Sequence, residues 1–119
     1  MGLFDVTQVA LQQALAGASA RQQVLANNVA NANTPGFTRS DLDFHSQLAA
    51  ALQNGGSGLS SLSYSPQLDR TSPVQANGNN VNIDTEMSDL SQNALDYESL
   101  VEIANARMKM LSTVIGTGA

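Results

Sequence analysis

The sequence predicts an all-α chain in which long N- and C-terminal helices pair as an antiparallel coiled-coil-like hairpin around a polar, Gly/Ser-rich centre. Three observations carry that expectation. Residues suited to a helix seam recur at alternating steps of four and three near the N-terminus, and the same repeat runs unbroken through the C-terminal third. The stretch between them is dense in Gly, Ser, Asn and Pro. That centre is expected to be irregular or to hold one short helix, with room for a small β-hairpin. The chain divides, as one structural unit, into residues 1–36, 37–80 and 81–119.

The first repeat places Phe4, Gln8, Leu11, Leu15, Ala18, Gln22, Leu25, Val29 and Ala32 on one face, so a single helix is expected to about Asn31. Two of those positions are Gln, and Ala10, Ala14, Ala26 and Ala30 beside them are small. The helix can approach a partner closely but has little apolar driving force of its own. Asn33-Thr34-Pro35-Gly36 should stop it, because the residue before Pro is pushed out of the helical region and Gly36 can take a positive φ.

Within Ser40 to Gln53, Phe44, Leu48 and Leu52 stand at four-residue steps, and Ser40, Asp41 or Asp43 can serve as the N-cap of a short helix. Asn54-Gly55-Gly56-Ser57-Gly58 ends it. From there to Pro66 the composition predicts a mobile or partner-ordered segment with little to bury. Leu59, Leu62, Tyr64, Leu68 and Val74 supply material for short extended pieces, and Asn77-Gly78 is a turn signal.

The strongest signal comes last. Ile83, Met87, Leu90, Ala94, Tyr97, Val101, Ala104, Met108, Leu111 and Ile115 are all apolar at heptad spacing. Asp84 is the expected N-cap, Glu86 and Asp89 suit the positive end of the helix dipole, Arg107 and Lys109 suit the negative end, and Gly116 is the expected stop. At 1.5 Å per residue this helix is about 45–50 Å long. Leu95, Leu100, Ile103, Met110 and Val114 widen its stripe beyond what one helix of Ala and Gln can cover, so several helices are expected to pack together before folding is complete.

Composition excludes several functions. The 119 residues hold five Lys and Arg against ten Asp and Glu, a net charge of −5, which is the wrong sign for a nucleic-acid surface. With no Cys there is no disulfide, thiolate metal site or cysteine nucleophile. No apolar run is long enough to span a bilayer, and Val6 breaks the myristoylation pattern. A cleaved secretory signal is not expected: no basic residue precedes Arg21, although Ala16-Gly17-Ala18 superficially resembles a cleavage site.

Candidate chemistry is sparse. Asp41, Asp43 and His45 form an Asp-x-Asp-x-His set that can be drawn as three metal ligands, but acids there equally serve as helix caps, and capping is the favoured reading. Glu98 and Glu102 lie one helical turn apart, as paired acid/base groups would, or as a solvated face. No Gly-x-Ser-x-Gly elbow or phosphate loop accompanies the serines. No catalytic residue, metal or cofactor is therefore expected, and Met87, Met108 and Met110 read as helix-interface packing. The Asn cluster Asn27, Asn28, Asn31 and Asn33 either terminates the first helix or bonds neighbouring chains.

Leu25-Ala26-Asn27-Asn28-Val29-Ala30-Asn31-Ala32-Asn33-Thr34-Pro35-Gly36-Phe37 resembles the N-terminal signature shared by flagellar rod and hook proteins. Arg39 to Phe44, Gly78 to Met87, Asn93 to Tyr97 and Lys109 to Leu111 resemble the proximal-rod members of that family, and the wording from Val81 to Met87 sets the chain apart from the sister subunit FlgC. The resemblance implies an axial subunit of the bacterial flagellar basal body, exported through the flagellar type III apparatus and assembled in the periplasm. Its implied partners are other copies of itself, the rod proteins FlgC, FlgF and FlgG, the adaptor FliE and the MS-ring protein FliF, and its implied role is torque transmission by rigid helix packing. The assembly interface expected on this basis is Leu11, Leu15, Ala18, Leu25 and Val29 with Met87, Leu90, Ala94, Tyr97, Val101, Ala104, Met108, Leu111 and Ile115. The signature residues are Asn27, Asn28, Asn31, Thr34, Pro35, Gly36 and Phe37. FlgC itself, or a soluble helical adaptor or export chaperone, is the alternative.

Overall fold

The structure, a computed structural model, describes residues 3–117. Three helices and one small sheet follow in the order α1 (Leu3–Ala30), β1 (Ser40–Asp41), α2 (Phe44–Gln53), β2 (Gln67–Leu68) and α3 (Ile83–Thr117). The molecule is elongated, 67 × 27 × 14 Å, because its two long helices lie along one another. Glu86 of α3 meets Asn28 near the end of α1, and Asn93 reaches Ala18 and Gln22. Met110 and Val114 share a groove with Thr7 and Ala10. The order of contacts is thus reversed along the two helices.

α1 ends where the Asn-Thr-Pro-Gly sequence requires. The Asn31 amide donates to the Asn27 and Asn28 carbonyls, Thr34 N–H donates to Asn31 O, and Gly36 takes φ 75°. The cap of α2 is Asp43, whose carboxylate accepts from Ser46 N–H at 3.2 Å and from Ser46 Oγ at 2.7 Å. Ser40 and Asp41, the other two candidates, instead form β1, which pairs antiparallel with β2 in the register Ser40↔Leu68 and Asp41↔Gln67. The strand pairing seen among the described residues thus spans α2 rather than forming a hairpin at Asn77-Gly78. The Asn77-Gly78 turn itself is present, closed by Gly78 N–H to Gln75 O at 2.9 Å.

The core is thin and built on small residues. Ala14, Gly17, Ala18, Leu25 and Ala32 of α1 and its following turn are buried, with Leu42, Phe44, Ala51, Leu59 and Val81 packed around them. Phe44 is fully buried because α1 carries Gly17 at the contact: a Cβ there would lie 2.7 Å from three Phe44 carbons. The Gly/Ser-rich segment, expected to be mobile or partner-ordered, is seated on α1. Leu59 is fully buried, Gln13 Nε2 donates to Leu59 O at 2.9 Å, and Tyr64 Oη donates to Gln13 O at 2.7 Å.

α3 departs from expectation at both ends and in its rotation. Its cap is Asn82 rather than Asp84: Asn82 Oδ1 accepts from Thr85 N–H at 3.1 Å. Gly116 does not stop the helix, which continues to Thr117, since a glycine away from positive φ imposes no break. Glu86 and Asn93 are buried and Leu100 and Arg107 partly so, whereas Met87, Ala94, Met108 and Ile115 are exposed. The helix is therefore turned by about 50° from the setting that its apolar heptad predicts, half the 100° between successive residues. Leu90, Tyr97, Ala104 and Leu111 belong to the flank that both settings share.

Candidate assembly interface and the polar clasp beside it

One end of the molecule is closed by hydrogen bonds. Asn28 has no exposed surface and uses both ends of its amide: Nδ2 donates to Ser40 O at 2.7 Å and to Glu86 Oε2 at 3.1 Å, and Oδ1 accepts from Ser40 N–H at 3.0 Å. Glu86 is likewise buried, and its other oxygen accepts from Arg39 Nε. Arg39 continues outward to Asp69 at 2.7 Å and Asp41 at 3.3 Å, and Asp41 also holds Arg21 at 3.0 Å. A fully hydrogen-bonded ionic cluster of this kind specifies geometry more than it adds stability.

The asparagines of the following strap complete the closure. Asn79 Nδ2 donates to the carbonyls of Asn31 and Thr34, both at 2.8 Å, while its Oδ1 accepts from Val81 N–H. Asn80 Oδ1 accepts from Arg39 N–H at 2.7 Å, and its Nδ2 donates to Asp69 O at 2.6 Å. Gly36 N–H donates to Asn77 O, and a Cβ on Gly78 would stand 3.2 Å from Gly36 Cα, so the two turns touch backbone to backbone. Asn27 and Asn31 bond within the end of α1, with Thr34 Oγ1 donating to Asn31 Oδ1. Pro35 is exposed, and Phe37 and Val29 are half-buried.

Charge is held firmly in this cluster. Burial works against the Arg39 guanidinium, but hydrogen bonds to Glu86 and Asp69 outweigh it and raise its pKa above the ordinary arginine value. Asp69, which accepts from Ser72, from the hydroxyl and amide of Thr71 and from Arg39, is held well below the usual carboxylate range. Burial would raise Asp41, yet the hydrogen bond from Arg21 and that from the Leu42 amide bring it down.

Many of the large apolar side chains of α3 are exposed. Met87 is 50% exposed, Met108 62%, Met110 69% and Ile115 74%, and Leu95, Tyr97, Ile103, Leu111 and Val114 are exposed with them. An apolar groove of about 710 Å³ opens between α1 and α3, floored by Leu11 and Ala14 and edged by Leu48, Ile103, Met110 and Val114. Of the expected interface residues on α1, Ala18 and Leu25 lie inside the chain's own core and Leu11, Leu15 and Val29 are half-buried; on α3, Leu90, Val101 and Ala104 are half-buried.

The acidic candidates do not converge on a ligand. Asp41 faces Arg21 and Arg39, Asp43 caps α2, and His45 Nε2 lies 3.7 Å from Asp96. Glu98 and Glu102 are exposed. Among the described residues no group of three His, Cys, Asp or Glu side chains is placed to hold a metal, and no helix is long and apolar enough to cross a membrane.

The sequence profile of the flagella basal body rod protein family matches residues 10–38, which run from the middle of α1 through the Asn-rich turn to the edge of β1. Over its whole length the chain is 33% identical to the flagellar basal body rod protein FlgB of Bacillus subtilis (strain 168), covering 99% of each. FlgB of Borrelia hermsii is 32% identical, covering 97% of this chain and 99% of its own, and FlgB of Escherichia coli (strain K12) is 30% identical, covering 90% and 91%. The chain belongs to the flagellar basal body rod protein family. The rod-family signature thereby acquires a structural meaning: Asn28, Asn31, Thr34 and Gly36 are the N-terminal half of the clasp, and Gly78, Asn79, Asn80, Val81 and Glu86 are the other half. Sequence reasoning missed Arg39, Glu86 and Asn93 as buried polar residues. Seven-residue spacing does not mark them, because Thr85, Gln92 and Ser99 share that spacing on an exposed row.

Proposed function

We propose that this chain is a structural subunit of the proximal flagellar rod, assembling by helix packing in the periplasm and turning over no substrate. α1 and α3 act as one antiparallel, coiled-coil-like hairpin, and neighbouring copies and other rod proteins, FlgC, FlgF and FlgG among them, cover the bare faces of α3. FliE and FliF fit as partners at the base of the rod, and rigid packing of the hairpins carries torque from the MS ring. The observation supporting this most directly is that the chain's own helix pairing buries Glu86 and Asn93 while leaving Met87, Met108, Met110 and Ile115 exposed. FlgB is favoured over its sister FlgC by the names of the relatives, which match along nearly the full length of the chain.

Replacing exposed Met108 by Asp tests this reading, because the monomer leaves that side chain 62% exposed. Helix content by circular dichroism should be unchanged, since a surface charge costs the isolated chain little. Buried against a neighbour, the same charge costs several kcal/mol, about enough to abolish assembly. Loss of swimming when the variant replaces the chromosomal gene is the expected result. Undiminished swimming would refute the role assigned to that face.

A further inference from the structure

The structure adopts the rotational setting of α3 against α1 that binary patterning disfavours. In the observed setting the row facing α1 holds buried Glu86 and Asn93 with half-buried Leu100 and Arg107, and the neighbouring row holds exposed Met87, Ala94 and Met108 with half-buried Val101. Turning α3 by about 50° would exchange the rows, sending Glu86 and Asn93 toward water and bringing the methionines onto α1. By apolar burial alone the turned setting is the better one.

We infer that Asn93 and Glu86 are positioning residues that lock the rotation of α3 and so keep the Met87–Met108 row facing outward. Asn93 is fully buried and lies seven residues beyond Glu86 along the contact between the helices. Its Nδ2 donates to the Ala18 carbonyl and to Gln22 Oε1, both at 2.8 Å. Its Oδ1 is buried without a hydrogen-bond partner, which is a poor arrangement if burial of Asn93 served stability alone. Glu86 locks the helix start in the same sense. Turning it out would leave buried Asn28 and the Arg39 guanidinium without their shared carboxylate. The two residues stand seven apart on one row, so both act on the same rotation and neither competes with the apolar row for position. The turned molecule would have its methionine row against its own α1 rather than available to a neighbour. This consequence rests on the assembly role proposed above; the lock itself does not.

The isosteric variant Asn93→Asp separates the possibilities. A carboxylate has no donor to offer Ala18 O and Gln22 Oε1 and is drawn toward water, which favours the turned setting. Because the chain has no Cys, a single Met108→Cys probe reports the rotation through its rate of reaction with a maleimide in dilute, monomeric protein, with Ser99→Cys on the outer side as the control. Adding Asn93→Asp should slow the reaction at position 108 by about tenfold while leaving position 99 unchanged and the helix content intact. An unchanged rate at 108 in a folded variant would overturn the lock. So would loss of helicity, because it would mean that no second setting exists. Swimming of an Asn93→Asp strain is read separately: protection of position 108 with normal swimming would leave the lock standing and count against the assembly role of that row.

Discussion

Gly17→Ala is expected to destabilise the protein, against the general rule for a helix interior. Ala is favoured over Gly by about 1 kcal/mol in a helix, so an unobstructed replacement would raise stability. At position 17 the added Cβ meets Phe44 Cβ, Cγ and Cδ2, each at 2.7 Å. Carbon pairs sit comfortably at about 3.5–4.0 Å, so about 1 Å of movement is required. Since Phe44 Cβ is one of the obstructed atoms, a change of rotamer cannot relieve the overlap; the first turn of α2 has to shift, and with it the edge-to-face contact of Phe44 and Tyr64. Overpacking of this kind costs about 1–3 kcal/mol or more, and the propensity gain offsets part of it. The net expectation is a loss of about 1–2 kcal/mol by urea denaturation. Phe44→Ala should be less damaging in the Gly17→Ala background than in the native one, because it removes Cγ and Cδ2, two of the three obstructed atoms. A Gly17→Ala variant as stable as the native chain, or more stable, would refute the notch.

Two further outcomes test the clasp. Asn28→Ala removes the donor and acceptor that link Ser40 and Glu86, leaving buried polar groups unpaired, and should cost about 2–4 kcal/mol in a denaturant titration; a change below about 0.5 kcal/mol, typical of a surface site, would contradict its place in the structure. Acid should also loosen the clasp. The folded carboxyls of Asp69 and Asp41 have depressed pKa values, so below the ordinary carboxylate range the unfolded chain takes up protons that the folded chain refuses. Their stabilisation is therefore full above about pH 4 and declines as pH falls further. Melting temperature followed from pH 7 to pH 3 should show that decline, and Asp69→Asn should flatten it.

The helices were legible in the sequence because each has a local cause. The Phe4–Ala32 and Ile83–Ile115 repeats mark two long helices, Asn33-Thr34-Pro35-Gly36 marks the end of the first, and Asp43 was among the expected caps of α2. What escaped prediction depends on distant partners. β1 and β2 are two residues each, too short to show alternation, and the register between them follows from where α2 begins and ends. Leu59 shares its Ser-rich surroundings with many exposed residues, and only its seat on α1 distinguishes it. The rotation of α3 is the most instructive case. Periodicity tells which residues share a face, whereas the side that turns toward α1 is decided by Asn28 and Arg39, 58 and 47 positions from Glu86, and by Ala18, 75 positions from Asn93.

The two ends of the molecule divide the work between two kinds of interaction. Around Asn28, Arg39 and Glu86 the contacts are directional hydrogen bonds, which tolerate little displacement and so fix how α1, the strap and α3 meet. Around Leu11, Leu48, Ile103, Met110 and Val114 the surface is apolar, and apolar burial is non-directional and grows with the area covered. A subunit that must present the same shape to each neighbour benefits from having its internal geometry set by the first kind and its attachment driven by the second. If the arrangement were reversed, with the methionine row turned inward, the chain would gain internal burial at the expense of the surface it offers. The buried Asn93 oxygen without a partner is a local cost that makes sense on this view, since the residue fixes an orientation that apolar burial would not choose.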